Sequence, residues 1–177
     1  FLGAISGNKV WTNDGHGVFS DSGQTLGGAL TYGVALGDAD GDGDLDAYAV
    51  NSGEPDALWL NDGNGNFADS GQVLSGGFGN QAAFGDINGD GDLDLVIAND
   101  WQQPAEVWTN NGAGLFRDSA QRLGSASRYA VALGDVDGDG DVDAFFGNNG
   151  SCDVWLNDLT YYTLQMQAGP HGVISPT

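Results

Sequence analysis

The residues of this chain best suited to chemistry are fourteen aspartates and one asparagine, set two apart in three nine-residue segments. They are Asp38, Asp40, Asp42, Asp44 and Asp46; Asp86, Asn88, Asp90, Asp92 and Asp94; and Asp135, Asp137, Asp139, Asp141 and Asp143. Four or five like charges so close in sequence repel one another unless a cation sits among them. Hard oxygen donors at alternate positions, with glycine in sixth place (Gly43, Gly91, Gly140), point to Ca²⁺. The segments recur 48 and then 49 residues apart, so the site belongs to a repeating unit and three Ca²⁺ sites are expected.

Other homes for these aspartates fit less well. An EF-hand needs a bidentate Glu at loop position 12, but Ala49, Ile97 and Phe146 stand there. One Asp-Gly turn without metal would be ordinary, yet three copies with carboxylates on odd positions are hard to explain as turns alone. Carboxylates can also serve as acid/base pairs, but an active site is normally single and this pattern is triplicated. His16 and His171 have no Ser or Cys motif beside them, and Lys9, Arg117, Arg122 and Arg128 are too scattered to clamp a phosphate. No enzymatic activity is expected.

The acids dominate the charge. The 177-residue chain has 25 acidic against 4 basic residues, a formal net charge of −21. Three bound Ca²⁺ would reduce this to about −15. Such a surface disfavours nucleic acid and anionic membranes, which are bound through Lys and Arg. Disorder is excluded by the 40% hydrophobic content, with five Trp, eight Phe and five Tyr. The single Cys152 rules out an internal disulfide framework. No apolar run approaches 18 residues, so no membrane insertion is expected. The chain begins at Phe1 with no signal-like segment, as a processed or excised chain would.

Other features share the period. Val10-Trp11-Thr-Asn13, Leu58-Trp59-Leu-Asn61, Val107-Trp108-Thr-Asn110 and Val154-Trp155-Leu-Asn157 are one motif in four copies. The first three continue through Gly-x-Gly-x-Phe to Phe19, Phe67 and Phe116, then Asp-Ser-(Gly/Ala)-Gln from Asp21, Asp69 and Asp118. An apolar run leads into each aspartate segment and another leads out, the second nearly continuous, as in a strand buried on both faces. Helical periodicity is absent. Four short strands per unit of about 48 residues predict an all-β chain built of β-propeller blades. The recurrent Trp could be a glycan-stacking stripe, but core between blades is the better expectation.

The pattern Asp-x-Asp-x-Asp-Gly-x-x-Asp, entered from an apolar strand ending in Leu-Gly or Phe-Gly, resembles the FG-GAP/VCBS repeat of integrin-α-like propellers and many secreted bacterial proteins. The resemblance covers residues 1–158. It implies Ca²⁺ held by side chains at positions 1, 3, 5 and 9 and by the carbonyl of position 7. The side-chain ligands would be Asp38, Asp40, Asp42 and Asp46; Asp86, Asn88, Asp90 and Asp94; and Asp135, Asp137, Asp139 and Asp143. Asp44, Asp92 and Asp141 would give carbonyls, with their carboxylates in solvent. Asn88 lowers the charge of the second loop, which should be the weakest site.

Residues 1–158 hold about 3.3 units, an incomplete ring, whereas propellers usually close with four to eight blades. Three arrangements are expected to compete: part of a longer chain, two copies closing one ring, or a fibre joined by strand addition. Residues 159–177 leave the repeat, as a linker or docking strand or as the start of a β-sandwich module. Tyr161–Gln167 alternates like a strand and could dock on a neighbour. Asn149-Gly-Ser151 is a glycosylation sequon. The expected role is an extracellular, calcium-stabilised structural or adhesive module. The alternatives are a carbohydrate-binding propeller with a glycan or cell-surface ligand, and the non-catalytic part of a secreted enzyme.

Overall fold

The computed structural model describes residues 7–148, 150–159 and 165–166. No described residue lies in a helix. A two-stranded sheet of β1 (Asn8–Asn13) and β2 (Phe19–Leu26) comes first. Three four-stranded antiparallel meanders follow. These are β3 (Thr31–Gly37), β4 (Asp46–Asn51), β5 (Ala57–Asn61) and β6 (Phe67–Asp69); then β7 (Gly79–Gly85), β8 (Asp94–Asn99), β9 (Ala105–Thr109) and β10 (Arg117–Leu123); then β11 (Arg128–Gly134), β12 (Asp143–Asn148), β13 (Asp153–Leu156) and β14 (Gln165–Met166). The expected blades are therefore present, and each aspartate segment joins the first strand of a blade to its second.

The continuous apolar runs occupy the second strands. Every residue of β4 and β8 is buried, because each sheet is covered on both faces. Tyr48, Val50 and Leu58 of the first full blade pack against Ala82, Leu95 and Ile97 of the second, with Phe84 and Trp108 closing the layer. Val96, Ala98 and Val107 meet Val131, Ala144 and Phe146 of the third in the same way, closed by Leu133 and Trp155. Fully burying one such side chain is worth about 1.5–3 kcal/mol. Trp108 and Trp155 are thus part of the packing between blades, which is the role expected of the recurrent Trp over a glycan stripe.

Side chains of the repeated motifs also cross between blades. The Gln24 carboxamide accepts from Phe67 N (2.9 Å) and donates to Gly65 O (2.6 Å). One blade on, Gln72 accepts from Phe116 N (2.9 Å) and donates to Gly114 O. The innermost strands β3, β7 and β11 lie side by side, and the register of each shifts after its first residue. At these bulges the strands almost touch. A Cβ on Gly33 would collide with Asn80 O, and Asn80 Nδ2 donates to Arg128 O (2.8 Å).

Gln165 and Met166 pair antiparallel with Leu156 and Trp155. The described part of the tail thus completes the chain's own third blade, a difference from the expected docking on a neighbour. The cause is geometric, since an antiparallel return beside β13 meets the open edge of its own sheet first. The rest of Tyr161–Gln167, the sequon residue Asn149, His171 and the opening Phe1-Leu2-Gly3 lie outside the described residues.

One buried acid between the blades gives a pH-dependent term. Asp56 accepts from Tyr48 Oη (2.9 Å) and Asn51 N (2.7 Å) and is 2% exposed. Burial raises its carboxyl from the usual 3.8 to about 6, against the pull of those two hydrogen bonds, and the Glu106 charge adds to the rise. Above the unfolded value but below the folded one, the folded chain keeps a proton that the unfolded chain has released. The stability contributed by this group is therefore full below about pH 4 and lost as pH rises through 6. The loss amounts to about 3 kcal/mol. Asp56→Asn cannot ionise, so urea titrations should show its stability gaining on the parent between pH 4 and 6. Parallel curves for the two proteins would overturn this.

Candidate metal centre

Each aspartate segment is a tight loop whose backbone is wound around its own carboxylates. In the first, Asp38 Oδ1 accepts from Gly41 N (2.9 Å) and Oδ2 from Gly43 N (3.0 Å). Asp40 Oδ1 accepts from Asp42 N (3.3 Å), and Asp42 Oδ1 from Asp44 N (2.9 Å). The third loop repeats this with Asp135 receiving Gly138 N (2.6 Å) and Gly140 N (3.1 Å), and Asp139 receiving Asp141 N (2.9 Å). The winding needs left-handed backbone at two places, with φ of 77° at Gly41 and 95° at Gly43. A side chain is disfavoured there, which explains the sixth-place glycine and adds the fourth-place one.

The turns bring carboxylates together. Asp38, Asp40 and Asp42 each have an oxygen within 4.8 Å of the others, as do Asp135, Asp137 and Asp143. Ligands on opposite sides of one Ca²⁺, at about 2.3–2.6 Å each, are separated by about this distance. The donor set therefore fits a hard divalent cation. Burial first, and crowding after it, shift the protonation equilibria of these loops. Burial raises the Asp40 carboxyl, helped by Asp46, Asp42 and Asp38. Asp137 is likewise raised, by desolvation first and then by Asp139, Asp143 and Asp135. The second loop differs. Asn88 Nδ2 donates to Asp90 Oδ2 (2.8 Å), and among the described residues this loop gathers no group of three carboxylates.

Position nine has a second task. Asp46, Asp94 and Asp143 are fully buried. Asp46 accepts from Ala39 N (2.8 Å) and Asn61 N (2.8 Å), Asp94 from Ile87 N (3.1 Å) and Asn110 N (2.8 Å), and Asp143 from Val136 N (2.8 Å) and Asn157 N (2.7 Å). Each carboxylate thus ties its loop to the third strand of the same blade. Burial raises Asp94 to about 6 despite those two hydrogen bonds, with Asp90 adding to the rise.

Position seven departs from expectation. Asp44, Asp92 and Asp141 do not point freely into solvent. Asp141 Oδ2 accepts from Leu159 N (2.8 Å), and the Asp44 and Asp92 carboxylates lie against Gly63 and Gly112. They rest on the neighbouring hairpin turn because that turn emerges at the same end of the blade.

Sequence reasoning also missed the asparagines of the Trp motif as partners of this centre. Asn110 Nδ2 donates to Ala39 O (2.7 Å) in the preceding blade's loop, and Asn157 Nδ2 to Ile87 O (2.7 Å). The signal was the fourfold recurrence of Asn two residues after Trp. His16 sits in an exposed turn against Asp14 O (3.2 Å), away from these loops in the chain's order.

Comparison with known proteins agrees with the architecture. No curated protein sequence matches the chain significantly. Its fold is similar to that of an Agrocybe aegerita lectin whose structure is described as recognising non-reducing terminal N-acetylglucosamine, with a TM-score of 0.55 and 23% identity. The likeness covers 89% of this chain but 44% of the lectin chain, so this sequence spans less than half of that protein's length. The FG-GAP-like repeat matches twice, over residues 38–97 and 86–146. These overlapping matches take in more than half of the sequence and one aspartate loop after another, and the chain belongs to the FG-GAP-like repeat family.

Proposed function

We propose that this chain is a calcium-binding, extracellular structural or adhesive propeller module, with one Ca²⁺ in each aspartate loop. The observation that carries the reading is the convergence of Asp38, Asp40 and Asp42, and of Asp135, Asp137 and Asp143, to within 4.8 Å. Asp46 and Asp139 complete the two sets; Asp86, Asn88, Asp90 and Asp94 form the third. When bound, the ion supplies the positive charge that the 25 acids lack. The loops hold their carboxylates in place by backbone hydrogen bonds, so little rearrangement is needed on binding. The extracellular part of the reading is supported by family membership, FG-GAP repeats being typical of extracellular proteins. No helix among the described residues is long and apolar enough to cross a membrane.

The reading includes assembly. Phe145 is 43% exposed on the outer face of the third blade, whereas Tyr48 and Val96 at the equivalent places are fully covered by the next blade. A further blade of the same repeat, from a second copy or a longer chain, fits that face. Native mass spectrometry tests both parts. Three Ca²⁺ per chain and a calcium-dependent oligomer are expected, with the ion of the second loop lost first. Equal retention of Mg²⁺, or no ion at all, would sink the metal reading; a monomer at every concentration would sink assembly between copies.

A second reading is a carbohydrate-binding propeller. It is supported by the likeness to the lectin and by exposed aromatic side chains away from the loops. Binding to a glycan array, competed by free sugar, tests it.

A further inference from the structure

The two ends of the blades differ sharply in charge. At one end lie the aspartate loops and the hairpin turns after β1, β5 and β9. At the other lie the links from second to third strands and from one blade to the next. In the described residues those links carry only three acids, Glu54, Asp56 and Asp100, and Asp56 is buried. The arginines bordering this end are engaged, Arg128 with Asp153 (2.9 Å) and Arg122 with Asp118 (2.6 Å). In a chain of charge −21 this surface is nearly neutral.

It is also aromatic. Trp101 is the most exposed large apolar side chain of the described residues, at 77%. It stands outside the repeated Trp motif, in the link between β8 and β9. Trp101 and Gln102 both have left-handed backbone, with φ of 53° and 59°. Without a glycine in either place this conformation costs about 1–2 kcal/mol per residue. The link is held in that shape by Trp101 N donating to Asp100 Oδ1 (2.7 Å) and Gln103 N to Asp100 O (2.9 Å). Two further bonds anchor the link to its neighbours. Asp100 N donates to Phe78 O (2.8 Å), and Gln102 N to Ser127 Oγ (3.1 Å), two residues before Tyr129. Phe78 and Tyr129 are each 50% exposed. A strained link thus holds the exposed Trp101 at the seam of the second and third blades, bonded through its flanking residues to Phe78 and to Ser127, close in sequence to Tyr129.

We infer that this seam is a saccharide-binding site for a neutral glycan, with Trp101 as the stacking platform and Phe78 and Tyr129 at its sides. The inference rests on the carbohydrate-binding reading and adds to it the place and the ligand's charge. The C–H face of a pyranose packs on an aromatic ring, and its hydroxyls find amide and hydroxyl partners in Gln102, Gln103 and Ser127. Anionic sugars meet Asp100 with no unpaired cation among the named groups to receive them. Exposed Trp, Phe and Tyr also suit a protein partner, and the titration below separates the two. Strain kept at an exposed residue motivates a functional reading.

Calorimetric titration in millimolar calcium tests the site, using galactose-, N-acetylglucosamine- and sialic-acid-terminated oligosaccharides. The intact chain should bind a neutral member and not the sialylated ones. Trp101→Ala should weaken binding by about tenfold or more, the loss of one stacking contact, while Trp101→Phe retains most of it. Trp101→Gly should abolish binding yet melt no lower than the parent, because glycine relieves the left-handed strain. Binding unchanged in Trp101→Ala would overturn the site and leave the carbohydrate reading standing. Preference for sialylated glycans would overturn the ligand's charge. No binding of any sugar would overturn both, and loss of self-association in Trp101→Ala without sugar binding would make the seam a protein contact instead.

Discussion

Chelating calcium with EGTA should lower the melting temperature of this chain by on the order of 20 °C if the proposed sites are filled. Binding to the folded state alone stabilises it by about 2.7 kcal/mol per site at free ion 100 times the dissociation constant. Three sites then contribute about 8 kcal/mol, and for a chain of this size 1 kcal/mol moves the midpoint by about 2–4 °C. The structural reason is that each loop joins the first and second strands of a blade, the pair nearest the propeller axis. Repulsion among Asp38, Asp40 and Asp42 acts where the blades are held together, and it adds to the effect of burial in raising the Asp40 carboxyl. Differential scanning calorimetry with EGTA, and again after excess Ca²⁺, reads the effect and its reversal. A midpoint indifferent to both would end the calcium proposal.

Position nine separates from the other ligand positions in a second experiment. Asp46→Ala leaves Ala39 N and Asn61 N without their buried acceptor. Each unsatisfied donor costs about 1–3 kcal/mol, so the variant should lose about 2–6 kcal/mol. That loss persists in EGTA, because the bonds do not depend on an ion. Asp42→Ala behaves in the opposite way. In calcium it destabilises by removing a ligand, and in EGTA it matches or exceeds the parent because one repelling charge is gone. Urea midpoints for the two variants, with and without chelator, should therefore cross. If Asp46→Ala became harmless in EGTA, position nine would be a ligand only and the clamp to β5 would carry no stability.

Much of this was legible in the chain. The period, the four strands per unit and the loop positions are local patterns, and local patterns survive without knowledge of the fold. The run from Asp46 to Asn51 reads as a doubly covered strand because it has no polar face to offer. What could not be read depends on partners far away in sequence. Gln24 meets Phe67 N and Asn110 meets Ala39 O, and neither spacing leaves a trace in the intervening residues. The clamp by Asp46 was hidden for another reason: a carboxylate in a ligand motif looks complete as a ligand. Trp101 was overshadowed by four Trp residues that do repeat. Its importance lies in departing from the period, and pattern reading favours whatever recurs.

Among the described residues, the Gln and Asn bonds between blades run from one unit to the next. Stability then accumulates pairwise along the row, as in a linear array of coupled units. Such a lattice tolerates changes of length only in whole steps. Duplicating or losing about 48 residues in register gives every Gln a Phe amide and every Asn a loop carbonyl again. Half a step leaves each of them facing the wrong strand. Recombination between misaligned copies of the gene should therefore yield foldable descendants in a discrete series, and the number of blades becomes an inheritable variable that selection can tune without redesigning a single contact.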